Sequence, residues 1–125
     1  MNKEALREIY KKYELTADDV FVQTLGGKEI PTITRTGVEK VQAKIGIELK
    51  YVLENISPDH KHVVVKCIGT YGDGVSLESY GEASPDNNKQ KYPIAMAEKR
   101  AKARVVLQVA GFYQLGVYSE DEFNK

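Results

Sequence analysis

The sequence predicts an α+β fold: an antiparallel β-meander of three main strands plus an N-terminal hairpin, packed against a long C-terminal helix, with one or two short N-terminal helices. Three observations carry this. From Ile45 the apolar period becomes two, with Ile47, Leu49, Tyr51 and Leu53 alternating with Glu48, Lys50 and Glu54. Turn chemistry then recurs at short intervals, as Ser57-Pro58-Asp59 and Gly72-Asp73-Gly74. Finally, an Ala-, Val- and Leu-rich run begins at Pro93, a residue suited to the first helical position, and stops at Gly111.

In chain order, Leu6, Ile9, Tyr10 and Tyr13 form one face of a first short helix. Val20 to Leu25 and Ile30 to Thr34 flank Gly26-Gly27 as a hairpin, and Pro31 marks the second strand as an edge. Thr36 with Glu39 reads as a capping box that opens a second short helix, with Val38, Val41 and Ile45 inward. The meander strands are expected from Ile45, over residues 61–71 with Val63, Val65, Cys67 and Tyr71 on one side, and over Val75 to Tyr80. The first of them should have one wet face. Gly81 to Tyr92 is a polar loop. Length supports a single domain over 1–125, with a core of about 20–112 and an acidic, loosely held tail over 113–125.

The chain has 125 residues, 42% hydrophobic and 29% charged, with no net charge, which is ordinary for a globular domain and argues against indiscriminate polyanion binding. The charge is unevenly spread. Residues 84–110 hold six cations (Lys89, Lys91, Lys99, Arg100, Lys102 and Arg104) against Asp86 and Glu98. Cys67 is the only cysteine, so no internal disulfide forms and a cytoplasmic setting is expected. No apolar run spans a membrane, and the N-terminal stretch lacks the apolar core of a secretion signal.

On the long helix two apolar sectors are expected, Ile94, Ala97, Ala101 and Val105 on one side and Met96, Ala103, Val106, Leu107 and Ala110 on the other. Arg100, Arg104 and Gln108 run between them, and Glu98 faces Lys102 at i, i+4. A helix apolar on two sides needs a second partner, either the N-terminal elements or a neighbouring subunit. Guanidinium groups at a crevice edge could grip phosphates bidentately; equally, they could bridge meander acids such as Glu78 or Glu82. Tyr71, Tyr80 and Tyr92, interleaved with the cations, could stack bases or simply pack. His60 and His62 share a strand face but lack further ligands, so no metal or other cofactor is expected. No nucleophile–base pair stands out, so the chain reads as a non-enzyme.

The strand ending SLESYGEA, the polar loop, and AEKRAKARVVLQVAGF together resemble the single-strand annealing recombination proteins, a group that includes the eukaryotic radiation-repair annealing protein and phage proteins of the essential-recombination-function type. Gly81-Glu82-Ala83, Glu98-Lys99 and Gly111-Phe112 carry the likeness. A closer one is to phage-type proteins with the strings YGEASPDNNK, YPIAMAEKRA and VYSEDE, here at 80–89, 92–101 and 117–122. The resemblance spans roughly residues 32–122. It implies a homo-oligomer, often a ring, that anneals single-stranded DNA in a host bacterial cytoplasm, the strand lying in a basic groove between the hairpin and the helix-bearing elements. Lys89, Lys91, Lys99, Arg100, Lys102 and Arg104 would meet phosphates, with Tyr71, Tyr80 and Tyr92 as stacking candidates. The other expectation is a non-catalytic oligomeric structural or interaction protein of the same fold, in which the arginines are internal salt bridges.

Overall fold

The computed structural model describes residues 2–88 and 91–123. Helix α1 (Lys3–Lys12) starts at Asn2, whose side chain accepts from the Ala5 N–H at 3.0 Å. Strands β1 (Val20–Leu25) and β2 (Lys28–Ile33) form the hairpin, with Gly26 and Gly27 at φ 57° and 80°, as a tight hairpin turn requires. Helix α2 (Arg35–Ile45) follows. Its cap is Thr34, which accepts from the Gly37 N–H at 3.1 Å, and not Thr36 as the capping-box spacing suggested. Strands β3 (Glu48–Ile56), β4 (Val63–Tyr71) and β5 (Val75–Ala83) make the meander, in that order and antiparallel. The long helix α3 (Pro93–Ala110) ends at Gly111 in the left-handed conformation.

Helix α3 is sandwiched, as its two apolar sectors required. Ala97, Ala101 and Val105 are fully buried against Val63, Val65 and Cys67 of β4 and Ala83 of β5, and Met96 joins this side instead of the other. Ala103, Val106 and Leu107 pack against Leu6 and Tyr13 of the α1 segment, Ile33, Val38 and Val41, so the N-terminal elements are the second partner. Helix and sheet approach so closely at Gly81 that a Cβ there would run into the backbone of Ala97 and Ala101. That close approach explains Gly81 and the small residues opposite it.

Three further expectations fail. The tail after Gly111 is not loose: Val117, Ser119 and Asp121 are buried, and β6 (Tyr118–Ser119) pairs in parallel with Thr32 and Ile33 of β2. Strand β2 is therefore central in a β1-β2-β6 sheet; Pro31, one residue outside the β6 pairing, faces no donor demand on that side. Strand β3 also departs from a half-buried strand. Because α3 lies across β4 and β5, β3 projects beyond it, leaving Tyr51 and Leu53 exposed on the face expected to be dry. No helix among the described residues is long and apolar enough to cross a membrane.

Candidate nucleic-acid interface

The cations of α3 divide between two sides of the helix. Arg100 is buried, 2% exposed. Its Nε donates to the Asp121 carbonyl (2.9 Å), Nη1 to the Glu82 carbonyl (2.8 Å) and Asn87 Oδ1 (3.0 Å), and Nη2 to the Asn87 carbonyl (2.6 Å). It thereby ties three segments together: the end of β5, the loop before α3, and the tail. Burial lowers its pKa, while the neighbouring Glu122 and Glu82 oppose that shift.

Arg104 lies one turn further on and is held by carboxylates. Nε and Nη2 form a fork onto Glu122 (2.6 and 2.8 Å), and Nη1 and Nη2 form a second onto Glu82 (2.8 and 3.0 Å). Nη1 also donates to the Tyr80 carbonyl at 2.7 Å. These contacts use all five N–H donors that a guanidinium possesses. The Arg104 pKa is accordingly raised, first by Glu122, and that of Glu82 is held below the ordinary carboxylate value, first by the hydrogen bonds from Arg104. On α2, Arg35 completes the pattern: its Nε meets Asp121 at 2.6 Å and its backbone N–H meets Glu120 at 2.7 Å.

Arg100 and Arg104, expected as phosphate contacts, are both occupied within the fold, Arg100 chiefly by backbone carbonyls and Arg104 by Glu82 and Glu122. The reason was invisible along the sequence. Successive acids at 120–122 read as a solvated tail, whereas parallel pairing with β2 and burial of Val117 bring them onto guanidiniums from two different helices.

The other side of α3 is open. Lys91 and Lys99 are exposed and make no ion pair with a described residue. Lys102 turns to Glu39 of α2 at 3.4 Å, instead of to Glu98. Helical periodicity sets Ala95, Lys99 and Lys102 on one stripe, with Glu98 at its margin. At its head is Tyr92, 72% exposed. There the β3–β4 turn and the loop before α3 enclose a hollow of about 850 Å³, lined by His60, Lys61, Lys91, Tyr92 and Ile94, with Asp59 and Glu98 also on its wall. Lys89 lies outside the described residues. The three candidate tyrosines do not converge. Tyr71 packs on the core shared by α1, α2 and α3, and Tyr80 pairs with Lys66 on the sheet face turned away from α3.

The sequence reading missed a second aromatic group. Tyr113 and Tyr118 have ring centroids 5.5 Å apart, and Phe123 meets Tyr118 edge-on at 6.5 Å. With Ile30, Ser79, Arg104 and Glu122 they line a hollow of about 610 Å³. Their five-residue spacing is the signal the sequence offers for this group. Among the described residues no cluster of three or more His, Cys, Asp or Glu side chains could hold a metal. Cys67 is buried, and burial pushes its thiol up to about 11. No family model and no curated protein matches the chain.

Proposed function

We propose that this protein binds single-stranded DNA in an annealing role, as a homo-oligomer, through the open lysine side of α3. The observation that carries the reading is Lys99 and Lys102 on one stripe of α3, preceded by Lys91 and the exposed ring of Tyr92, which lie on the wall of the His60–Lys61 hollow. Annealing requires neutralised phosphates and accessible bases and makes or breaks no bond. Ammonium groups in solvent supply the first by counterion release, and one unburied tyrosine supplies a stacking surface worth about 1–3 kcal/mol per base. Arg100 and Arg104 belong to the scaffold in this reading.

The test is a titration of a labelled single-stranded oligonucleotide at two or more salt concentrations. Three lysines set a log K against log salt slope of about −2, from about −0.7 per phosphate on single strands. Lys99→Ala with Lys102→Ala weakens binding and flattens that slope. A flat response in the unsubstituted chain, or indifference to the double substitution, overturns the reading. A second reading has its own support. The complete engagement of Arg104, with Arg100 buried, fits a structural or interaction protein of the same fold, in which arginine substitutions lower stability and lysine substitutions change nothing measurable.

A further inference from the structure

Strand β3 is the open edge of the meander. It pairs with β4 alone, and Tyr51, Val52 and Leu53, from both its faces, are 38%, 41% and 53% exposed. A long apolar edge with unpaired backbone groups is a template for another strand. The opposite edge, β5, is blunted: Arg104 takes the Tyr80 carbonyl and Arg100 the Glu82 carbonyl. Among the described residues no comparable side chain caps β3. Its one irregularity is a bulge at Glu54, between the Leu53 and Asn55 pairings with β4.

We propose that β3 pairs antiparallel with β3 of a second copy of this chain, about a two-fold axis at Val52. The side-chain pattern selects both the partner and the register. With the axis at Val52, Lys50 stands opposite the second copy's Glu54 at both ends, Tyr51 stands opposite Leu53 twice, and Val52 meets itself. An axis at Tyr51 would set Glu48 against Glu54 and leave Lys50 opposite Val52. An axis at Leu53 would set Val52 against Glu54. Registers offset by an odd number of residues would place each side chain against one from the opposite face. Of the axes within the exposed stretch Tyr51–Leu53, only that at Val52 sets opposite charges together and apolar against apolar over residues 50–54, the mismatches falling at the strand ends where Glu48 meets Ile56. In the monomer Lys50 is exposed and makes no ion pair with a described residue, and Glu54 has only a 3.4 Å contact with Lys66. Hairpin strand β1 also has an open edge with Phe21 and Val22 exposed, but its sequence VFVQTL offers no charge to complement Lys50 or Glu54.

The pairing deepens the homo-oligomer of the preceding reading, and it needs no nucleic acid. It is therefore tested without DNA, so that its failure and the failure of DNA binding are separate results. Sedimentation velocity across about a hundredfold range of concentration is expected to show a monomer–dimer equilibrium. Lys50→Glu sets acid against acid at both ends and raises the dissociation constant by about tenfold or more, with circular dichroism unchanged. Adding Glu54→Lys to it restores the dimer, because the exchanged charges are again complementary. A chain that stays monomeric throughout overturns the proposal. So does a dimer indifferent to Lys50→Glu, a double exchange that fails to restore association, or an assembly lost on Phe21→Lys while Lys50→Glu leaves it intact, which would identify β1 as the docking edge.

Discussion

The two flanks of α3 carry the same charge and meet opposite fates. On one, Arg100 and Arg104 face β5, the loop before the helix and the acidic tail, and are saturated with acceptors. On the other, Lys99 and, just before the helix, Lys91 stand in solvent, and half-buried Lys102 makes a single ion pair, with Glu39 at 3.4 Å. Side-chain chemistry matches the division. A planar guanidinium with five fixed donors can satisfy several carbonyls and carboxylates at once, whereas a strongly hydrated ammonium on a flexible stem remains in water at less cost. The number of cations on a helix therefore says little about the number available to a polyanion. What decides is whether acceptors from elsewhere in the chain converge on them.

The sharpest way to break this contrast is Arg100→Ala. It leaves the Glu82, Asn87 and Asp121 carbonyls without their buried donor and opens a gap between three segments. A loss of about 3–5 kcal/mol is expected in urea or thermal unfolding. A loss comparable to that of a surface substitution would show that Arg100 is not a structural tie. Gly81→Ala comes next, at about 2–3 kcal/mol, since its Cβ meets helix backbone that has no rotamer to change. If that variant unfolds like the parent, the arginine flank is looser than its contacts imply.

Glu122→Gln should cost about 1–2 kcal/mol by weakening one fork on Arg104, and the same flank makes stability depend on acid. The pKa of Glu82 is depressed in the fold, first by Arg104, and that of Asp19 is depressed first by Lys40. A carboxylate depressed on folding contributes stability above its unfolded value, about 4, and loses it as pH falls through the folded value. Unfolding midpoints should therefore hold from neutral pH to about 5 and fall below about 4, with a shallower fall in Glu82→Gln. An unchanged acid limb in that variant would remove Glu82 from the account.

Much of this architecture was legible from periodicity. The period-two run after Ile45 marks β3, the two-sided pattern of Pro93 to Ala110 marks a sandwiched helix, and of the two meander acids the sequence offers to the arginines, Glu78 and Glu82, it is Glu82 that meets Arg104, at 2.8 Å. The tail was not legible, because neighbouring acids look solvated until a parallel pairing to β2, more than eighty residues earlier, brings them inward. Nor was the exposure of Tyr51 and Leu53: alternation marks which residues share a face, but it does not tell how far an overlying helix reaches across the sheet. The candidate interface was half legible. Lysine and arginine look alike in a charge count, and only tertiary contact separates the engaged pair from the open stripe.

The smallest expected effect on stability is the one that bears most directly on the proposed strand binding. Lys99→Ala removes an exposed ammonium with no described carboxylate partner, so its unfolding midpoint should stay within about 0.5 kcal/mol of the parent. Its single-strand affinity should still fall, with the salt slope shallower by about 0.7. Arg104→Ala should give the converse, a clear loss of stability, with the salt slope preserved when measured well below its melting temperature. Measuring both variants by unfolding and by oligonucleotide titration makes the two flanks each other's control. If Arg104→Ala changes the salt slope and Lys99→Ala does not, the assignments of scaffold and contact are reversed, and the acidic tail must leave Arg104 when a strand binds.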